Sequence, residues 1–336
     1  LLDRIVEAFS HPLAIGDELL QVELTIGVTE VAGDLEQSIA NAATAIRQGD
    51  GRRTEVIHFK QEQRDRVVRR SEIERWLEIA IVNNELEAHF QPIVDAISTV
   101  PVGYELLIRG RRNGVPVSPG EFIPLAEENG RILEIGEFTL REACAALPFL
   151  PGDAPYVSVN VSPVELSDTT FIERVRSILE AARVDRSRIV LEVTEGAATT
   201  DDHVEVLHRI RDLGIRIAID DFGSGHANLS YLSNLPANIL KLDRSLVTPI
   251  VDDRADFTVV QGTIAMAHEI GLIVVAEGVE TNDELNALRR VRCDRIQGWL
   301  TGRPGPLTDL VEVAPRTKDV APAAGDHAGS RAGTTP

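Results

Sequence analysis

Only two cysteines stand among the 336 residues, Cys144 and Cys293, far apart and in no CxxC spacing. That scarcity disfavours a disulfide framework and a zinc–thiolate site, and it fits a reducing cytosol. The eight histidines form no HxH or HExxH pattern, which disfavours a zincin site. No apolar run reaches transmembrane length and no signal peptide is visible. Basic residues are outnumbered, 34 against 53 acidic, for a net charge of −19. A bulk electrostatic grip on duplex nucleic acid needs a basic surface, so that class is disfavoured, although a small phosphate ligand held through metals is not. The single methionine is Met266 and the chain starts at Leu1. The chain is therefore read as a piece of a longer or processed protein, whose anchor or sensor could lie upstream.

What remains is a chain with 43% apolar residues, enough for a sizeable core and one to two domains. Residues 1–60 read as a fragment of a separate domain: a strand over Leu20–Gly27, a helix over Asp34–Gln48 and a strand over Glu55–Phe59. Residues 61–84 are charged with periodic apolar positions (Val67, Val68, Ile73, Trp76, Leu77, Ala80) and predict a helical lead-in. From 85 to 314, short apolar runs alternate with amphipathic stretches such as Pro119–Glu134, Thr139–Leu147, Asp168–Ala182, Asp201–Leu213, Asp256–Ile270 and Asn282–Val291. About eight strand–helix units predict an α/β fold, a TIM-like (β/α)8 barrel. A doubly wound open sheet is the alternative, but no GxGxxG follows the first strand. Residues 315–336, rich in Pro, Ala, Gly, Thr and Asp, are expected to be disordered.

The most informative run is Ile215 to Asp221, a buried-strand pattern ending in two adjacent carboxylates before a Gly-rich turn. Neighbouring like charges at a strand end repel and lose hydration, so a cation must hold them, and a divalent metal fits. The pattern recurs: other apolar runs end in Glu105, Asn160, Glu192, Lys241 and Glu277. In a β/α barrel all strand ends meet on one face, so these residues converge into an oxygen-rich cluster. All-oxygen ligands favour Mg²⁺ or Mn²⁺ over zinc or copper. Five carboxylates are too many for one ion that keeps several waters, and two ions about 4 Å apart suit in-line displacement at a phosphodiester. Singly, each residue has a plainer reading. Asp220 and Asp221 could be a turn and helix cap, Lys241 a surface residue, Gln91 and Gln297 satisfied core amides, and Arg109 a partner of a barrel acid.

Nine short motifs carry a resemblance. Glu105, Leu106, Leu107 and Arg109 resemble the EAL motif of cyclic di-GMP phosphodiesterases, with Leu106 where Ala is usual. The others are Phe90–Ile93, Glu121–Glu127, Val159–Ser162, Leu191–Glu195, Asp220–Gly225, Lys241–Asp243, Ala276–Glu280 and Gln297–Gly298, all in family order. The resemblance implies hydrolysis of cyclic di-GMP to linear pGpG with two Mg²⁺ or Mn²⁺ ions and inhibition by Ca²⁺. It implies that Glu105, Asn160, Glu192 and Asp220 hold the first metal, and that Asp221 and Glu277 serve the second metal and the attacking water. Lys241 would position that water, and Gln91, Arg109, Asp243 and Gln297 would contact the ligand. Glu195 would hold the loop after Asp221, which links the site to a homodimer formed through the barrel. His226 and Ala227 depart from the usual Tyr and Ser of that loop, and Arg131 from a common Leu. Residues 1–60 resemble the C-terminal part of a GGDEF (diguanylate cyclase) domain, on the Leu24–Gly27 strand, the Ala-rich helix and Gly51–Arg52. The resemblance thus implies upstream GGDEF or sensor segments in the full-length protein, and a cytoplasmic setting. The alternative function is a catalytically silent barrel that senses cyclic di-GMP or docks a partner.

Overall fold

The structure, a computed structural model, describes residues 2–16, 18–31, 34–47, 55–224 and 232–313. The readings placed on Gly51, Arg52, Gly225, His226, Ala227 and the tail from 315 lie outside the described residues. The chain divides into two compact units. One holds the chain up to Glu87 together with Ile108–Phe138 and Ser162–Thr169. The other holds Ala88–Leu107, Thr139–Val161 and the chain from Thr170 onward.

In the first unit, strands Thr25–Val28 and Glu55–His58 pair in parallel, with helix Leu35–Ile46 between them in sequence. Asp34 caps that helix by accepting from Glu36 N at 3.0 Å. Helix Gln61–Leu77 begins polar and ends apolar: Ile73, Trp76 and Leu77 bury against Phe122, Leu125, Ala126, Ile132 and Ile135. The Trp76 and Phe122 rings meet edge-on, 5.5 Å apart. Ion pairs Arg69–Glu121 (2.9 Å) and Arg112–Glu72 (2.7 Å) fix the helix's exposed side. The amphipathic stretch read as Pro119–Glu134 is interrupted. One helix runs Pro119–Glu128 and the next starts at Ile132, because Gly130 takes a left-handed turn (φ +77) between them.

A closed barrel occupies the second unit, with Leu86, Glu87 and Ile108–Arg112 of its strands belonging to the first. Its strands are β1 (Leu86–Asp95), β2 (Pro101–Arg112), β3 (Tyr156–Asn160), β4 (Ile189–Thr194), β5 (Arg216–Phe222), β6 (Ile239–Leu242), β7 (Ile273–Ala276) and β8 (Arg295–Gln297). They pair in that order, β8 pairs β1, and β1 pairs β2, which closes the ring. Strands β2 to β8 run parallel to one another, but β1 is antiparallel to β8. The TIM-like α/β barrel expected from the sequence is present, and its one departure from regular strand–helix alternation among these strands comes at the first step. Only a short turn, Ala96–Val100, separates β1 from β2, and a parallel crossover needs a dozen residues or more. Asp95 builds that turn, accepting from Ile97 N at 3.1 Å and Ser98 N at 2.7 Å.

Period-two alternation sorts the barrel interior into levels. At the lower level Ile93, Tyr156, Val190, Ala218, Ile239 and Val275 bury together. Gly103 faces the Tyr156 ring, where an added Cβ would lie 2.3 Å from a ring carbon, so a small residue opposes a large one. Further along the parallel strands the inward positions turn polar: Glu105, Glu192, Asp220, Lys241, Glu277 and Gln297 follow two residues after the lower level, and Asn160 four residues after Tyr156. On β1, which runs the other way, the polar Gln91 comes before Ile93. Cys144 and Cys293 are buried. Among the described residues no helix is long and apolar enough to cross a membrane.

Candidate active site

Lys241 is the centre of the polar level. It is 1% exposed, and its Nζ lies 2.6 Å from Glu192 Oε2, 2.6 Å from Glu277 Oε1, 3.1 Å from Asp220 Oδ1 and 3.5 Å from Glu105 Oε2. Each of these acids comes from a different strand or strand end, so barrel closure brings them together. Amides complete the ring. Asn160 Nδ2 donates to Glu105 Oε1 at 2.8 Å, and Gln297 Nε2 donates to Glu105 Oε2 at 2.6 Å and to Gln91 Oε1 at 3.1 Å. Gln91 Nε2 in turn donates to Gly302 O at 3.0 Å. Gln297 Oε1 is buried without a protein partner, an acceptor available to a ligand.

Asp221 needs its own explanation. Consecutive residues of a strand point to opposite faces, so Asp220 and Asp221 cannot both serve one site in regular geometry. The register against β6 shifts between Ile219 and Phe222, the mark of a bulge, and Asp221 takes φ +56. Its N–H donates to Asp220 Oδ1 at 3.0 Å. The left-handed turn costs on the order of 1–2 kcal/mol for a residue with a Cβ, and Asp bears it better than most. Its result is that one oxygen each from Asp220, Asp221 and Glu277 lies within 4.8 Å of the others. This carboxylate-only set suits a hard divalent cation, so the residues present fit the expected metal.

The charge balance agrees. Burial drives Glu277 up to about 8 and Glu192 well above the usual carboxylate range, with neighbouring carboxylates adding to both and Lys241 opposing. Asp221 is raised as well, by burial first and then by Asp220 and Asp243. Burial alone would raise Glu105, but Lys241 and the amides of Gln297 and Asn160 hold it below its ordinary value. Burial would lower Lys241, and the four carboxylates outweigh it and hold the ammonium firmly charged. One ammonium is too little charge for this many acids, and additional positive charge would favour their ionised forms.

A cavity of about 440 Å³ opens above the ring. Among the sequence-predicted residues, Gln91, Glu105, Asn160, Asp220, Asp221, Glu277 and Gln297 line it, while Lys241 and Glu192 lie buried beneath. Arg109 and Asp243 do not line it. Asp243 instead caps the turn Arg244–Val247, accepting from Ser245 N at 2.9 Å. Glu195 donates its backbone N–H to Asp220 O at 3.2 Å, and part of the loop it is expected to hold lies outside the described residues. Leu106 is buried and turned away from the cavity, as alternation requires. The reading of strand-end acids missed Leu107, Arg244, Glu280 and Trp299, which also line the cavity. Arg244 and Glu280 pair at 2.9 Å. Leu107 and Glu280 stand inside the matched motifs and Arg244 and Trp299 directly after them, which was the available signal.

Residues 74–304 match the EAL domain family. The chain is 35% identical over 323 residues to the cyclic di-GMP phosphodiesterase NbdA of Pseudomonas aeruginosa, covering 93% of this chain and 41% of NbdA. It is 32% identical over 322 residues to the bifunctional diguanylate cyclase/cyclic di-GMP phosphodiesterase MucR of the same organism, covering 93% of this chain and 47% of MucR. The chain thus spans less than half the length of these relatives. The solved structure of the MucR phosphodiesterase in complex with c-di-GMP has a TM-score of 0.67 at 36% identity, covering 71% of this chain and 99% of that one. The EAL enzyme Bd1971, in its cAMP-bound form, has a TM-score of 0.69 at 28% identity, covering 75% and 72%. The family match takes in every barrel strand and every acid of the ring, and the chain belongs to the EAL domain family.

Proposed function

We propose that the chain hydrolyses cyclic di-GMP to linear pGpG with the help of divalent metal ions. The observation that carries this reading is the ring of strand-end carboxylates around buried Lys241, with Asp220, Asp221 and Glu277 converging at its mouth. The relatives named as cyclic di-GMP phosphodiesterases support it. Glu105, Asn160, Glu192, Asp220, Asp221 and Glu277 would hold a pair of Mg²⁺ or Mn²⁺ ions. Bound there, the ions would supply Lewis acidity and neutralise charge on the phosphate.

The chain's own residues do the rest. Lys241, locked by its carboxylates, holds one fixed positive charge under the scissile phosphate and orients the attacking water. Asp221 and Glu277 line the cavity with carboxylates that can take the proton this water loses. Gln297 and Gln91 keep Glu105 in register and offer amide groups to the ligand, and Arg109 and Asp243 act as further ligand contacts. Glu195 steadies the loop after Asp221. The water oxygen bonds to phosphorus as one ring P–O bond breaks, which opens the cyclic dinucleotide.

The parallel strands flanking helix Leu35–Ile46, and a match to MucR over 93% of this chain, support residues 1–60 as the C-terminal fragment of a GGDEF-type domain. Residues 61–84 then act as lead-in, 85–314 as the phosphodiesterase barrel and 315–336 as a tail. The full-length protein would carry upstream GGDEF or sensor segments, work in the cytoplasm and dimerise through the barrel.

The test is chromatographic: cyclic di-GMP with Mg²⁺ or Mn²⁺, using Glu105→Ala as control. Linear pGpG that disappears in the variant is the expected result. Binding without turnover would replace the enzyme by a sensor.

A further inference from the structure

We infer that Trp299, backed by Arg303, is the platform on which one guanine base of the substrate stacks. This inference rests on the phosphodiesterase reading above and adds a binding residue to it. Among the residues lining the cavity Trp299 is the one aromatic, and the others are mainly carboxylates, amides and glycines. Such a floor can hold a phosphate through metals but gives a purine nothing to lie on. Trp299 is 55% exposed, unlike the other tryptophan, Trp76, at 3%. The guanidinium carbon of Arg303 sits 4.6 Å from the centre of its ring. One face is thereby covered and the ring is held by a cation–π contact, so the open area is the opposite face and edge.

The loop that carries the ring is fixed. Val279 N donates to Gln297 O at 3.0 Å, and Leu300 N donates to Val279 O at 3.0 Å. Between them Gly298 lies so close to Val279 that an added Cβ would fall 2.1 Å from its carbonyl oxygen. Thr301 N closes the turn onto Gly298 O at 3.2 Å. A large, rigid aromatic at the mouth of a phosphate site loses little freedom on binding. Trp299 is also two residues from Gln297, which lines the same cavity and whose Oε1 has no protein partner. With the phosphate at the carboxylates, the attached nucleoside reaches out to the indole.

Stacking of a base on an aromatic residue contributes ~1–3 kcal/mol by alanine substitution, or roughly fivefold to hundredfold in affinity. The experiment uses Trp299→Ala and Trp299→Phe. Binding of cyclic di-GMP is followed by calorimetry in Ca²⁺, and turnover of cyclic di-GMP and of bis(p-nitrophenyl) phosphate, which has no base, in Mn²⁺. The expected result is an affinity loss of about tenfold or more in Trp299→Ala, largely recovered in Trp299→Phe. The alanine variant loses at least about tenfold more kcat/KM on cyclic di-GMP than on the diester without a base, through KM. In wild type, cyclic di-GMP quenches tryptophan fluorescence, and Trp299→Phe removes the quench. Affinity within twofold of wild type in Trp299→Ala, binding without a quench, or equal losses on both substrates would overturn the inference and leave the phosphodiesterase reading standing. Wild type that neither binds nor opens cyclic di-GMP overturns both, and is told apart because it needs no variant.

Discussion

Replacing Lys241 by methionine removes the one ammonium from the carboxylate ring and keeps most of the volume of its stem. In the native protein its Nζ touches four acids, two of them at 2.6 Å. Removing one partner of a buried ion pair costs about 3–5 kcal/mol, because the other partner stays buried and uncompensated. For a unit of this size each kcal/mol moves Tm by about 2–4 °C, so Lys241→Met should melt roughly 6–20 °C lower in EDTA. The sign with pH follows. Acids that lose their ammonium hold protons to higher pH than the ~4.3 of an unfolded glutamate. The folded variant then binds more protons than its unfolded chain, and its deficit widens as pH rises above that value. Mn²⁺ stabilises either protein by about 2.7 kcal/mol at a hundredfold excess over its own Kd, and at equal free Mn²⁺ it should narrow the gap, because the ring that lacks the ammonium binds the cation more tightly. Calorimetric unfolding of both proteins, with EDTA and with Mn²⁺, measures all three effects. A variant that melts with wild type in EDTA, or a deficit that Mn²⁺ leaves unchanged, would refute the view that the ring is held by cations.

Glu105→Ala should reduce turnover of cyclic di-GMP to background, as read by chromatography, since it removes a carboxylate that Lys241, Asn160 and Gln297 all hold. Asp221→Gly should raise stability by up to about 1 kcal/mol by relieving the φ +56 turn while turnover is lost, so thermal melts and rates move in opposite directions. Ca²⁺ in place of Mn²⁺ should permit binding and block hydrolysis, because its loose coordination misplaces the attacking water; a binding isotherm beside a rate assay shows it. Cys144 and Cys293, with thiols pushed by burial up to about 11 and about 12, should resist alkylation at pH 8 in the native protein and react on unfolding, as counted by mass spectrometry.

The strand-end acids were legible because burial on a parallel strand leaves an unbroken apolar run, and a charge at its end stands out against it. Lys241 was legible for the same reason, sitting between Leu240 and Leu242. The direction of β1 was not, since a strand pattern carries no sign and only the short turn at Asp95 hinted at a hairpin. Asp221 was legible as a member of the acid cluster, but the backbone geometry that aims it there was not. That aim depends on a bulge, which one sequence does not separate from regular pairing. Asp243, read as a ligand contact, also caps a helical turn, work that Asp does in many folds. Trp299 and Arg244 escaped because attention to titratable strand ends passes over the loops that follow them.

Because β1 runs against its neighbours, it starts at the end of the barrel where the others finish. The first residues of β1 therefore stand at the rim of the cavity, whereas in an all-parallel barrel the first strand would begin at the floor. The sixth residue of that strand is Gln91, which receives the amide of Gln297, the same amide that holds Glu105 at 2.6 Å. The route from the start of β1 to a carboxylate of the site thus passes through one strand and two hydrogen bonds, without crossing the barrel wall.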